Sequence, residues 1–408
     1  MAVAPPAATL RSGPTGPPGQ GLSGGPGALF QLLRDGVPRT RAELVRASGL
    51  ARSTVTGRVE ELLSSGLVTL TGAAESHGGR PAATLAFAPD SRVVVGVDLG
   101  VSHVHVAVTD LANTVLTERL EDIRITDGPE VVLGEVATVT EQLLEAAGRT
   151  AAEVAGMGIG LPGPVEFSTG RPVSPPVMPG WDRFEVPAFF ADRLDAPVLV
   201  DNDVNIMALG EHAERHPDVL DLVFVKVASG IGAGIISGGL LQRGAEGAAG
   251  DLGHVSVPDG NQALCTCGNR GCVEAVASGT AIAASLRSQG LDVAGQAEVV
   301  ALARAGDPAA IAAVREAGRD IGAVLAGVVS LLNPSVIVVG GRMAAVGEQL
   351  LAGIRESVYR RSLPLGTHHL RIVGSASGAS AGIVGASVLV TNLVLSPEGV
   401  DAFVLRGR

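Results

Sequence analysis

The sequence predicts an α/β protein in two parts: a small N-terminal winged helix-turn-helix, then a larger domain of two halves in which strands and helices alternate. Three observations carry this expectation. A capped helix, a Ser-Gly turn and a second helix fill residues 40–63. Apolar strands closed by glycines recur at residues 93–100, 157–164, 229–234 and 335–341. All three cysteines of the 408-residue chain fall within positions 265–272.

At 408 residues and 46% hydrophobic content the chain is long enough for two or three domains with buried cores. No apolar run reaches the length of a membrane span, and no charged-then-apolar leader opens the sequence, so a cytoplasmic protein with reduced thiols is expected. The net charge of −11 is unevenly spread. Residues 1–90 carry eight Arg against six Asp or Glu, a balance of +2, which leaves −13 for residues 91–408. Only the N-terminal part can face a phosphate backbone.

Residues 1–26, rich in Pro, Gly, Ala and Ser, read as a disordered tail. Residues 27–90 read as the winged helix-turn-helix. Ala28–Leu33 has helical apolar spacing and Gly36-Val37-Pro38 ends it. Thr40 with Glu43 forms a capping box for a helix to Ala47, Ser48-Gly49-Leu50 turns, and a second helix runs from about Ala51 to Leu63. Its inward residues are Val55, Val59, Leu62 and Leu63, while Arg52, Ser53, Thr54, Thr56 and Arg58 crowd the first two turns. That arrangement suits a recognition helix entering a DNA major groove. Val68–Leu70 and Ala83–Phe87 are strands, with Gly78-Gly79-Arg80-Pro81 at the tip of the wing and Arg80 placed to reach the minor groove or phosphates. A helical bundle with a solvated Arg-Ser face is the plainer alternative.

Residues 91–395 form the larger domain and 396–408 a C-terminal tail. Val93–Gly100 is an apolar strand that delivers Asp98 and Gly100, and Val104, Val106 and Val108 alternate on a returning strand. Met157–Pro164 ends another strand and Ser229–Gly234 a third, each glycine run being either a turn or a ligand loop. Val198–Asn205 delivers Asp201, Asn202, Asp203 and Asn205 just before a helix over 206–214. Two carboxylates so close repel if both are buried, so at least one must face solvent, a ligand or a donor. Asp307 caps a long amphipathic helix, Pro308–Leu332, and Ser335–Gly341 is a further buried strand ending in Gly340-Gly341. Ligands of such sheets bind at the carboxyl ends of the strands.

His254, Cys265, Cys267 and Cys272, spaced His-x10-Cys-x-Cys-x4-Cys, supply four ligands of the kind zinc prefers, enough to close a structural tetrahedron. Gly268 and Gly271 allow the loop to turn tightly. An odd count and the Cys265–Cys267 spacing oppose a disulfide framework.

Residues 27–87 and 92–391 together resemble the ROK family of bacterial repressors and sugar kinases. The resemblance rests on Gly250-Asp-Leu-Gly-His254, on Cys265-x-Cys267-Gly-x-x-Gly-Cys272-x-Glu274, and on Asn202-Asp203. It implies a two-lobed actin- and hexokinase-like (ribonuclease H-like) fold and a structural zinc. It further implies a sugar held by Asn202, Asp203, Asp251, His254 and Glu274, with Asp203 the catalytic base in a kinase. Asp251 stands where the family usually has Glu. The nucleotide positions implied are Asp98, Gly100, Ser229, Gly230, Gly232, Gly340 and Gly341, for ATP with magnesium near Asp98. Here the sequence departs: Val101 replaces a glycine, and Ser102-His103 replace the Thr-Lys donors of kinase members.

Two functions follow. The first is a transcriptional regulator of carbohydrate genes, xylose metabolism among them. It would be a homodimer or homotetramer on an inverted-repeat operator, its DNA affinity set by a sugar or sugar phosphate. The alternative is an ATP-dependent sugar kinase that retains a DNA-binding domain.

Overall fold

The computed structural model describes residues 24–73, 82–258 and 262–406. The N-terminal unit is built from local signals that agree. Thr40 Oγ1 accepts the Glu43 N–H while a Glu43 carboxylate oxygen accepts the Thr40 N–H, and the box opens the helix Arg41–Ser48. Gly49, at φ 69°, ends that helix in a left-handed residue that favours glycine. The second helix is Arg52–Ser65, and Val55, Val59 and Leu62 are its buried face. A three-stranded sheet follows the order Arg39–Thr40, Ala83–Phe87, Val68–Ala73, all pairs antiparallel. The short strand at Arg39–Thr40 was absent from the sequence reading. The expected wing tip, with Arg80, lies outside the described residues, as do residues 1–23 of the expected tail; Pro26 already belongs to a helix, Pro26–Phe30.

The larger domain contains two five-stranded sheets of the same design. The first runs in the order Val198–Asn202, Val154–Leu161, Val93–Leu99, His103–Asp110, Val115–Asp122; the second runs Leu240–Gln242, Ile231–Ser237, Leu222–Val227, Val336–Gly340, Arg371–Gly374. In each, the earliest strand sits in the centre, pairs antiparallel with a meander on one side and parallel with crossover strands on the other. The Ser229–Gly234 run therefore does not end a strand: Ser229-Gly230 is the turn of a hairpin, and Gly232 and Gly234 lie within Ile231–Ser237.

Two helices fill the space between the sheets, Asp203–Arg215 and Ser380–Val394. Their backbones touch, because a Cβ on Gly385 would lie 1.6 Å from the Ile206 carbonyl oxygen and one on Gly210 would lie 2.0 Å from that of Ala381. The helix expected at 206–214 thus begins earlier, at Asp203, with Asn202 as its cap. The helix Pro308–Leu332, capped by Asp307, has the predicted bounds.

Residues 396–408, expected as a tail, are corrected to a helix, Pro397–Arg406, that completes the core of the N-terminal unit. Val400 and Val404 are buried in one cluster with Leu29, Phe30, Leu33, Val55, Val59 and Leu62. The Gly27 N–H donates to Asp401 at 2.7 Å, Gln31 Nε2 donates to the Leu395 carbonyl at 2.9 Å, and the Arg92 guanidinium lies 5.3 Å from the Phe403 ring centre. The physical reason was present in the sequence: Val400, Phe403 and Val404 follow Pro397 at helical spacing, and that apolar stripe requires a partner. Among the described residues no single helix is long and apolar enough to cross a membrane.

Candidate metal centre and strand-end site

Residues 252–258 and 262–274 form a compact knuckle. Bridges between Ser256 and Cys272 and between Leu264 and Arg270 frame it, and the Cys265 N–H donates to the Asn269 carbonyl at 2.8 Å. Gly268 and Gly271, at φ 90° and 74°, make the turns that the sequence anticipated. One ligand atom from each of His254, Cys265, Cys267 and Cys272 lies within 4.8 Å of all the others, a group able to hold a metal ion. Cys267 Sγ is 3.7 Å from Cys272 Sγ, and Cys265 Sγ is 3.5 Å from His254 Nδ1. Burial and the neighbouring sulfurs push the Cys272 thiol up to about 12, so a thiolate there needs a cation beside it. Hydrogen bonding from the Asn269 backbone lowers the Cys267 thiol.

The knuckle packs against the hairpin of the second sheet. His254 turns its other nitrogen, Nε2, toward exposed Asp251 at 4.0 Å. Glu274, in the first turn of the helix Val273–Ala277, accepts the Ile231 N–H at 2.9 Å and so ties the knuckle to the hairpin of the second sheet. Gly250 permits this approach, because a Cβ there would lie 1.9 Å from the Ala233 carbonyl oxygen.

In the first sheet, parallel register sets Asp98 against Gly160 and Asn202 against Leu161, so the sheet presents these acids and amides at its strand ends. Asn202 Nδ2 donates to the Gly163 carbonyl at 2.9 Å while its Oδ1 accepts the Val204 N–H. Both acids of Asp201-Asn202-Asp203 are buried, and each meets a cation. Asp201 accepts from Arg243 Nε at 2.7 Å and from Asn205 Nδ2 at 2.7 Å, and the Arg243 guanidinium covers the Phe167 ring at 3.7 Å. Asp201 is thereby a structural group. Asp203 Oδ2 pairs with Lys226 Nζ from the central strand of the second sheet.

Neither Lys226 nor Arg243 was singled out from the sequence. For Lys226 a signal existed: it is the single lysine of the chain. Its charge also reaches Asp98, whose carboxyl is pushed up to about 6 by burial, with Lys226 acting to lower it and Asp203 to raise it. Burial opposes the Lys226 charge, and the two acids restore it, leaving its pKa raised.

The glycines assigned to nucleotide are closely packed against neighbouring residues. The His103 ring packs over Gly100, where a Cβ would come within 2.1 Å of its Cε1. Burial, then the charges of Lys226 and Arg342, lowers the His103 pKa and favours a neutral ring. Val101 is 39% exposed at the turn. Gly232 and Gly340 have packing reasons to be glycine, their missing Cβ atoms facing Val204 Cγ2 at 3.0 Å and Phe224 Cζ at 2.3 Å. Gly341, at φ 82°, would set a Cβ 2.6 Å from the Val227 carbonyl oxygen, while Ser229 and Gly230 form the hairpin turn, with Glu274 Oε2 2.6 Å from a Cβ on Gly230. Each of these glycines therefore has a packing or turn reason that needs no nucleotide.

On the N-terminal unit Arg52, Ser53, Thr54 and Thr56 are exposed on the first two turns of the second helix, although the Thr56 hydroxyl donates back to the Arg52 carbonyl at 2.9 Å. Arg58 is half-buried, and its Nη1 is enclosed without a hydrogen-bond partner.

Comparison with known proteins gives four results. The ROK family model matches residues 94–392. Over 387 residues the chain is 29% identical to a putative xylose repressor of Caldicellulosiruptor sp. (strain Rt8B.4), covering 91% of this chain and 96% of that protein. The structure matches that of a ROK family transcriptional regulator, a homolog of the E. coli MLC protein, with TM-score 0.80 and 27% identity over 93% of this chain and 98% of that one. A ROK family glucokinase from Streptomyces griseus, solved in complex with glucose and AMPPNP, matches with TM-score 0.64 and 30% identity over 73% of this chain and 98% of its own.

Proposed function

The chain belongs to the ROK family, and from that membership we propose that it is a sugar-responsive transcriptional repressor. One observation carries the reading. The match to a xylose repressor spans both parts of the chain, whereas a glucokinase is matched over 98% of its length by only 73% of this chain. This chain is longer than that kinase and carries a winged helix whose Arg52, Ser53, Thr54 and Thr56 face outward, ready for a major groove and its phosphates. Arg58 and Arg80 complete the proposed contact set.

In this reading the sugar is held by Asn202, Asp203, Asp251, His254 and Glu274, whose fixed acceptors suit ring hydroxyls. The metal is zinc. Tetrahedral zinc with Zn–S of about 2.3 Å and Zn–N of about 2.0–2.1 Å requires S···S near 3.8 Å and S···N near 3.5 Å, and the separations of 3.7 and 3.5 Å support that assignment. His254 Nδ1 would bind zinc and Nε2 would face the sugar. A homodimer or homotetramer in the cytoplasm would engage an inverted repeat. Repression is relieved only if the sugar binds one arrangement of the lobes more tightly than another.

Retention of Asn202-Asp203 favours the kinase alternative, and the Lys226 pairing of Asp203 opposes it. A mobility-shift titration on operator fragments selected from random DNA separates the two, with xylose tested first, then other pentoses, hexoses and their phosphates. Sugar-dependent release with no ATP turnover is expected. Turnover of ATP and sugar at ordinary enzyme rates, with no sugar effect on DNA, overturns the reading.

A further inference from the structure

Lys226 is the single lysine in a chain whose 30 basic residues are otherwise arginine. It stands at the end of Leu222–Val227, level with Gly340, and points into the groove between the sheets, where its ammonium bonds Asp203 Oδ2. Its side chain is 23% exposed and that of Asp203 only 6%. Asp98 approaches from the other sheet and is pressed against the helix Ser380–Val394 so closely that a Cβ on Gly382 would lie 2.0 Å from its Oδ2. An ammonium is a compact point charge with three donors, whereas a guanidinium is a wide planar fork. A compact ammonium suits the single bond to Asp203 Oδ2 that this position makes, in a protein that otherwise uses arginine.

Two desolvated carboxylates facing one groove do not both stay ionised without a cation between them. In oxygen-rich sites that cation is commonly divalent. We propose that the Lys226 ammonium is the resident cation of this groove, occupying between Asp98 and Asp203 the place of a divalent ion, so that the pocket takes its ligand without metal or nucleotide. One carboxylate oxygen of Asp203 is engaged by Lys226, which leaves the other to accept a ligand hydroxyl, and the ammonium keeps donors free for a ligand oxygen. With two acids against one base, the groove selects uncharged sugars over their phosphates. This assignment stands whether or not the protein binds DNA.

The test uses full-length, zinc-loaded protein with Mn2+ as the probe, counted by electron paramagnetic resonance. Mn2+ prefers carboxylates and competes poorly for thiolates, so the cysteine knuckle does not confuse the count. Wild type should bind no Mn2+ in the groove. Lys226→Gln and Lys226→Met, which keep the bulk and remove the charge, should each gain one Mn2+ at least 100-fold tighter than any wild-type binding. Adding Asp98→Asn should abolish it. A wild-type Mn2+ site that disappears with Asp98→Asn or Asp203→Asn overturns the proposal, as does a folded Lys226→Gln or Lys226→Met protein that binds no more than wild type. Should neither variant fold, the wild-type titration decides alone: such a site refutes the proposal and its absence upholds it.

Discussion

Removing the side chains that dock the C-terminal helix should release the N-terminal unit while leaving the sugar domain intact. Val400 and Val404 are 0% and 4% exposed, and both pack into the cluster that holds the recognition helix through Val55, Val59 and Leu62. Truncating either valine to alanine removes two methyl groups at about 0.8 kcal/mol each, about 1.5 kcal/mol per site before any cavity cost. The double variant Val400→Ala/Val404→Ala therefore loses about 3 kcal/mol, close to 100-fold in the ratio of docked to undocked helix. Gly27→Ala attacks the same contact from the other side, since its Cβ would lie 1.9 Å from the Pro397 carbonyl oxygen, a backbone atom that has little room to yield. Limited proteolysis should cut both variants near residues 88–92 and 395–397, and a mobility-shift assay should show operator affinity reduced by one to two orders of magnitude. Sugar binding by calorimetry should be unchanged. If the double variant keeps wild-type operator affinity and protease resistance, the helix is an ornament on the surface and the single core drawn above is wrong.

Other perturbations test the remaining parts. Cys267→Ser should release the metal and lower the melting temperature sharply, because structural zinc in small motifs contributes on the order of 10 kcal/mol of apparent binding energy; one zinc per chain by mass spectrometry with normal melting would contradict this. The Asp98 carboxyl, pushed from 3.8 to about 6 by burial, binds its proton more tightly in the folded state. It therefore subtracts stability increasingly as pH rises from 4 to 6, by about 3 kcal/mol once above that window. Asp98→Asn should accordingly raise the melting temperature at pH 7.5 but not at pH 4.5, and an equal effect at both values would refute the assignment. Gly385→Ala inserts a Cβ 1.6 Å from the Ile206 carbonyl oxygen and should cost 3 kcal/mol or more, read by denaturant midpoint. Arg52→Ala should weaken DNA binding and lower the salt slope by about 0.9, the value of one phosphate contact; an unchanged slope would remove Arg52 from the interface.

The sequence alone determined whatever depends on neighbours along the chain. The Thr40–Glu43 box and the Asp307-capped helix lie where they were read, because a cap is a bond between residues three apart. The knuckle was equally legible, since His254 and the three cysteines sit within 19 positions, and metal ligation states its own requirements in residue type and spacing. The carboxyl-end placement of Asp98, Asn202 and Gly340 followed from apolar runs that end in polar or glycine residues. Only the tertiary structure decided the rest. Lys226 reaches Asp203 across 23 positions, Arg243 reaches Asp201 across 42, and Asp401 reaches Gly27 across 374. Nothing in a local window encodes such pairings: the first two exist because two sheets and two glycine-crossed helices bring distant segments together, the third because the C-terminal helix docks on the N-terminal unit. The charge balance that distinguishes a sensing pocket from a phosphoryl-transfer site is a sum over those ends, so it is fixed only when the chain has folded.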